Sequence, residues 1–569
     1  MSNSWKPLGE LLVAGSVITE DQLAVALEEQ RSRKGTLGQI LTELGFASQD
    51  RILPVLAVQR EIPYVSLGTA SIDPVAIKAV MAKYAYHYMV MPIGITDGVL
   101  RVALSNPFDL NTLDDLRLLL GHKIEPVLAG EGDIREALKK YYGLGADTVE
   151  KILREADHAF ESTTPDLCVE DLEQLAHEAS VIKFVNQILL EAFQERATDI
   201  HIEPFEDQLR FRYRIDGILY NVSIPANIRQ FHSAIVSRIK IMANLDITEK
   251  RLPQDGRMKV RVGENELDLR ISILPTQFGE AVDIRLLSRR DMFLGLGKLG
   301  LLPQDINILE SMIKNPHGIL LVTGPTGSGK TTTLYACLAK INDSEKKIIT
   351  IEDPIEYQLR GITQIQVFPK IGLTFSRGLR SMLRHDPDIM MVGEIRDLET
   401  AEIAIRVALT GHLVFSTVHT NDAASSITRL VNMGIEPYLI SSSVICIIAQ
   451  RLVRLVCPYC KTEVGIAEDV VRQFDPTPDS SFSKAVEGKG CEACRFTGYL
   501  GRTGIYEILI MNERVAESID RKTPANKIKE QARTLGMRTL RQDGWEKIKM
   551  GLTTVGEVLR VTQEEGDSE

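Results

Sequence analysis

Gly324-Pro325-Thr326-Gly327-Ser328-Gly329-Lys330-Thr331 stands between the apolar run Gly318–Thr323 and a helical pattern that opens at Lys330. Strand, glycine-rich turn and helix in that order are the P-loop pattern in the context it requires. Glycines let main-chain N–H groups close around phosphate oxygens, and the helix N-terminus adds positive potential. Lys330 then reaches the β- and γ-phosphates of a nucleotide, and Thr331 holds Mg²⁺. A chance glycine-rich turn would not satisfy all eight positions between a strand and a helix. The C-terminal part of the chain therefore reads as an α/β domain that binds its ligand at the carboxyl edge of its sheet.

A P-loop serves kinases, GTPases, helicases and motors alike, so its neighbours decide its use. Ile351-Glu352-Asp353-Pro354-Ile355-Glu356-Tyr357 brings three carboxylates to the end of the apolar strand Ile348–Glu352. A second expected strand, 389–393, runs directly into Glu394, Ile395, Arg396 and Asp397. A third, 413–417, is bracketed by Thr410-Gly411-His412 and by Val418-His419-Thr420-Asn421. Carboxylates at such an edge are candidates for holding Mg²⁺ and polarising water, although a solvated strand end would also be acidic.

Together these four blocks resemble the Walker A, aspartate box, atypical Walker B and histidine box of the ATPases of type II secretion and type IV pilus assembly. The resemblance extends over residues 176–565. It implies a RecA-like P-loop domain that hydrolyses ATP with Mg²⁺. By it, Glu394 acts on Mg²⁺ and the attacking water, Glu352 or Glu356 polarises that water, and His419 senses the γ-phosphate. It also implies a cytoplasmic homohexamer, held peripherally at the inner membrane by a platform and assembly proteins, that drives assembly of pilin-like filaments. Residues 433–443 and 450–454 look more like the type II secretion version; the type IV pilus extension ATPase is the alternative. The retraction motor resembles a shorter chain.

Phosphoryl transfer is accelerated by positive charge on the transferring group. Asp268-Leu269-Arg270-Ile271-Ser272 and Asp283-Ile284-Arg285 are similar to family strands whose arginines reach nucleotide held on the neighbouring lobe. Arg270 and Arg285 are the expected pair, and Arg380, Arg384 and Arg396 match further family arginines. Any one of these is otherwise an ordinary surface charge. Cys457-Pro458-Tyr459-Cys460 and Cys491-Glu492-Ala493-Cys494 supply four thiolates, the ligand set of a closed, structural Zn²⁺ site. The remaining cysteines, Cys168, Cys337 and Cys446, stand alone, a usage that fits a reducing cytosol.

Upstream, Leu8-Gly9 recurs as Leu37-Gly38, Leu11-Leu12 as Ile40-Leu41 and Leu23 as Ile52, with Thr19 and Ser48 as helix N-caps. These copies look like the paired motifs that bind cyclic di-GMP in some of these ATPases. The family arginine before Leu-Gly is replaced by Pro7 and Thr36, and Pro54 is expected to interrupt the second helix. Without those cations cyclic di-GMP binds weakly or not at all, and a docking module for a membrane partner is the preferred reading.

The fold class expected is thus multidomain α/β. A two-copy helical module (1–60) precedes a small α/β domain (61–145), a charged linker (146–175) and a PAS-like antiparallel-sheet α+β domain carrying the arginines (176–290). A glycine-rich hinge (291–300) leads into the RecA-like ATPase domain (301–569), with the zinc knuckle at 457–494. The net charge of −11 and the lack of an aromatic stacking platform count against the competing class, a nucleic-acid translocase. The full set of carboxylates and arginines counts against a non-hydrolysing nucleotide sensor. No run of about 18 apolar residues marks a membrane span, and residues 1–12 lack the apolar core of a signal peptide.

Overall fold

A computed structural model describes residues 7–32, 36–60, 62–106, 110–143, 169–262, 265–288, 295–474 and 484–562. The chain divides into two units, Met1–Leu287 and Ser288–Glu569.

The second unit is organised by a seven-stranded sheet. Its spatial order is Thr363–Gln366, Ile348–Glu352, Ile389–Val392, Leu413–Val418, Gly318–Thr323, Val444–Val456 and Tyr499–Ile510. The first six strands are parallel and the last closes the sheet antiparallel. Parallel strands are covered on both faces, which is why Gly318–Thr323 and Ile389–Val392 are unbroken apolar runs buried at every position. Met390, Val392, Ala404 and Ile405 pack on one side, and Leu334, Leu338, Met391 and Phe415 on the other. Because the strands are parallel, the P-loop, aspartate box, Glu394 and histidine box all leave the sheet at one edge.

Residues 295–300, expected as a flexible joint, are seated on this unit. Leu296, Leu299, Leu301 and Leu302 are buried. The Tyr506 hydroxyl (2.9 Å) and the Gly504 N–H (3.2 Å) both donate to Leu299 O, and Lys547 Nζ donates to Gly300 O. Gly300 has φ +90°, and a Cβ there would meet Thr503 Oγ1 at 2.0 Å, so apolar burial and close backbone approach override the glycine signal.

The first unit begins with helices Leu8–Ala14, Glu20–Ser32, Leu37–Glu43 and Gln49–Arg60. Repeat mates Leu12 and Leu41, and Ile18 and Ala47, share one core. Thr19 caps the second helix, its Oγ1 accepting from Gln22 N at 3.2 Å. Gln49–Arg60 continues through Pro54 rather than stopping there, because Ile52, Leu53 and Ala57 on either side of it are buried. A three-stranded sheet of Met91–Thr96, Val99–Leu104 and Lys123–Leu128 follows, with helix Glu131–Tyr142. The proposed linker falls mostly outside the described residues.

A six-stranded sheet then packs against helices Val169–Gln194 and His232–Met242, in the order Ile218–Val222, Leu209–Ile215, Ala197–Pro204, Gly279–Ser288, Asn265–Thr276 and Gln254–Val262. Its strands alternate. Leu267, Leu269, Ile271 and Ile273 face the core, which puts Asp268, Arg270 and Ser272 on the opposite face.

Candidate functional site

The P-loop closes between Thr323 and the helix Lys330–Ile341. Gly324, Gly327 and Gly329 all have positive φ, at 149°, 79° and 88°. A Cβ on Gly324 would lie 2.5 Å from Gln450 O, and one on Gly329 would lie 2.8 Å from Gln450 Nε2, so the neighbouring strand enforces glycine at both. At Gly327 a Cβ would meet nothing within 4 Å, and that side of the loop is open to a phosphate. Ser328 Oγ is buried with no hydrogen-bond partner. An orphaned hydroxyl inside a glycine cradle at a helix N-terminus fits a nucleotide phosphate.

Lys330 Nζ donates to Gly324 O at 2.8 Å and Pro325 O at 3.1 Å, which stations it over the loop. Burial lowers the ammonium to about 8; Glu394 acts against that, and Arg451 reinforces it. Glu394 Oε2 lies 2.6 Å from Arg396 Nε and 3.3 Å from His419 Nε2. His419 is half-exposed. Its pKa is lowered by burial and by the Lys330 charge, with Glu394 opposing. Thr420, next in the chain, is tied to the end of the P-loop strand, its N–H donating to Thr323 Oγ1 at 2.9 Å. Glu394, His419, Arg396 and Lys330 thus form one group at the sheet edge.

The two aspartate-box glutamates are placed differently. Glu352 is only 3% exposed, with Oε1 accepting from Thr350 Oγ1 (2.5 Å) and Gln364 Nε2 (3.1 Å) and Oε2 from the Tyr335 hydroxyl. Burial raises its pKa against those three hydrogen bonds. Glu356 is half-buried, on the loop beyond the strand.

Arg270 and Arg285 belong to the first unit, on adjacent strands of the six-stranded sheet. Arg285 Nε donates to the buried Asp199 at 2.9 Å. Arg380 pairs with Glu399, and Arg384 reaches back to the end of helix Phe375–Met382, donating to Ser381 Oγ and Arg380 O, so neither joins Glu394. His412 is bound at a helix end, Nδ1 lying 3.0 Å from Val407 O. Gln450 and Arg451 have no assigned role in the sequence reading, yet they line the loop. Gln450 Oε1 accepts from Thr333 Oγ1 at 2.7 Å, and Arg451 Nη2 donates to Asn421 O at 2.8 Å. The only sequence signal for them is the Gln-Arg pair at 450–451, inside a largely apolar strand.

The four cysteines form a second, separate cluster, their sulfurs all within 4.8 Å of one another. Cys457–Cys491 is 3.8 Å, while Cys460–Cys494 and Cys491–Cys494 are both 3.7 Å. A tetrahedron with metal–sulfur distances of about 2.3 Å has edges close to these values. Gly490, Cys491 and Gly498 N–H groups donate to the sulfurs at 3.2 to 3.3 Å, which stabilises thiolate and orients it. The residues present fit zinc.

A phosphate cradle beside an acidic strand end and an imidazole defines a P-loop nucleotide hydrolase. The chain belongs to the family described as Type II/IV secretion system protein, whose pattern matches residues 174–560, and it is an ATPase of the secretion and pilus-assembly class. An MshEN domain match covers residues 60–148, which is the small α/β domain. Over 556 residues the chain is 42% identical to the type IV pilus assembly ATPase PilB of Myxococcus xanthus, covering 97% of this chain and 98% of that protein. Over 398 residues it is 51% identical to the type II secretion system protein E of Pseudomonas aeruginosa, covering 70% and 78%. Among solved structures, the Legionella pneumophila ATPase DotB is 20% identical with a TM-score of 0.49, covering 67% of this chain and 95% of that one. No helix among the described residues is long and apolar enough to cross a membrane.

Proposed function

We propose that this ATPase works as a cytoplasmic homohexamer that hydrolyses ATP to drive assembly of pilin-like subunits for type II secretion. The observation that carries the reading is the convergence of Lys330, Glu394 and His419 at the mouth of the P-loop. Gly324, Pro325, Thr326, Gly327, Ser328, Gly329, Lys330 and Thr331 bind the nucleotide, and Thr331 and Glu394 hold Mg²⁺, which supplies charge neutralisation on the phosphates. Glu356 is the base. Glu352 is 3% exposed and held by three donors, away from solvent water, whereas Glu356 is half-buried on the loop.

Arg270 and Arg285 act on nucleotide held by a neighbouring subunit, a heterologous contact that closes into a ring when the rotation permits. Light scattering with Mg-ATP is expected to give a six-fold mass, and a monomer at high protein concentration would count against the ring. The machine contacts an inner-membrane platform through its N-terminal region. Coverage of nearly the full length of a pilus assembly ATPase favours the second reading, extension of a type IV pilus. Deleting the gene tests the two: loss of exported enzymes with surface pili intact supports secretion, and the reverse supports pilus extension.

A further inference from the structure

The buried glutamate that the reaction leaves unused sits at the centre of a fastening for the aspartate-box loop. Glu352 draws three donors, each from a different segment. Tyr335 comes from the P-loop helix, Thr350 from its own strand and Gln364 from the edge strand. Two of these donors also hold the loop that follows. The Tyr335 hydroxyl lies within electrostatic reach of the Glu356 main-chain N–H, and Gln364 Nε2 donates to the same hydroxyl oxygen at 3.5 Å. Gln364 Nε2 donates to Tyr357 O at 3.1 Å, and its Oε1 accepts from Leu359 N at 2.7 Å. The Tyr335 and Tyr357 rings meet edge to face, with centroids 4.5 Å apart.

A phenol has one hydrogen to donate and two lone pairs to accept with. In Tyr335 the donor is committed to Glu352 and one acceptor to Gln364, so the carboxylate and the amide together fix the hydroxyl beside which the Glu356 main chain lies. Tyr335 lies on the same helix as Lys330, which places the P-loop and the candidate base on one rigid frame.

We propose that Glu352, Tyr335 and Gln364 are positioning residues that hold the Glu356 main chain in register with the P-loop, so that the base is preorganised for its water. The proposal rests on Glu356 being the base. A displacement of about 1 Å at a reacting group costs on the order of 100-fold in rate, whereas nucleotide affinity, set by the P-loop, is untouched.

The test is a cycle in the full-length protein, reading kcat, KM for ATP and the affinity of a fluorescent ATP analogue. Tyr335→Phe keeps the ring and removes the hydroxyl; Gln364→Met removes the other tie, together with the long 3.5 Å hydrogen bond from Gln364 Nε2 to the phenol. Each is expected to lower kcat tenfold or more, with KM and nucleotide affinity within twofold. In a Glu356→Gln background, where the base is already gone, each is expected to change residual turnover less than twofold. Equal fold losses in both backgrounds would show a merely structural role and overturn the proposal, as would near-normal kcat in both single variants. Near-normal turnover by Glu356→Gln alone would instead remove the base assignment, and the positioning role with it.

Discussion

Glu394 Oε2 and His419 Nε2 lie 3.3 Å apart, which brings together the groups that follow the carboxyl ends of two adjacent parallel strands. The pair has a pH signature. Burial and the Lys330 charge hold the His419 imidazole below its ordinary value of about 6.5, so the ring is neutral at pH 7 and gains a proton only in acid. Protonation would then place a second cation beside Lys330. Turnover is expected to fall on the acid side of the ordinary imidazole value, apart from any change near pH 8 where Lys330 loses its proton. His419→Gln is expected to lack that acid-side fall; an identical acid limb in both proteins would assign it elsewhere.

Binding and hydrolysis should separate at three positions. Lys330→Ala removes the cation over the P-loop and is expected to impair both nucleotide affinity and turnover. Glu394→Gln keeps the size and removes the charge, so binding survives while turnover collapses. Arg270→Ala is expected to behave like Glu394→Gln, losing a factor of about 10³ in turnover with binding intact. Near-normal hydrolysis by Arg270→Ala would show that this strand does not complete the site.

Cys460→Ser leaves three thiolates in a site built for four. Metal analysis of protein purified without chelator is expected to give one zinc per chain, falling in the variant together with the melting temperature. Protein with full fold and no metal would contradict the assignment.

Glu557 offers a stability test remote from the nucleotide. It is 1% exposed, and although burial pushes its carboxyl up, hydrogen bonds from Arg560 and Arg454 outweigh that and bring it from 4.5 to about 2. A carboxyl depressed on folding stabilises above its unfolded pKa, and the contribution fades as pH falls from 4.5 towards 2. Its size is about 3 kcal/mol at neutral pH. Glu557→Gln is expected to lower the unfolding free energy by roughly that amount at pH 7 and by far less near pH 3. A pH-independent difference in denaturant titrations would refute it.

Pro7 and Thr36 stand at the N-caps of Leu8–Ala14 and Leu37–Glu43, and Thr36 Oγ1 is already engaged with Gln39 N at 3.4 Å. Two charge-assisted contacts to a cyclic dinucleotide are missing, each worth about 1.5–3 kcal/mol. Cyclic di-GMP is therefore expected to bind weakly or not at all through these two motifs. Submicromolar affinity by calorimetry would overturn this expectation.

The strands that end at the P-loop, aspartate box, Glu394 and histidine box were legible because parallel strands buried on both faces leave unbroken apolar runs, each closed by polar chemistry. Val444–Val456 and Tyr499–Ile510 were not. Gln450, Arg451 and Glu507 interrupt their apolar pattern, and those polar groups find partners only once the sheet is assembled: Gln450 with Thr333, Arg451 with Asn421, and Glu507 with Ala423 N. The different stations of Glu352 and Glu356 were equally hidden. One ends the strand and the other follows it in the same motif, and the distinction depends on Tyr335 and Gln364, which no local pattern links to them. The four cysteines, by contrast, announced themselves through spacing alone.

Val444–Val456 and Tyr499–Ile510 are hydrogen-bonded neighbours, yet the entire cysteine knuckle is inserted between them. For an unfolded chain, closing so long an excursion carries an entropy cost that grows with the logarithm of its length and slows the pairing. Once Cys457 and Cys494 share a metal, only Arg495, Phe496, Thr497 and Gly498 remain to be closed before Tyr499 meets Val456. Metal capture thereby turns a distant pairing into a nearly local one, and supplying zinc at the start of refolding should hasten completion of the sheet that carries the P-loop.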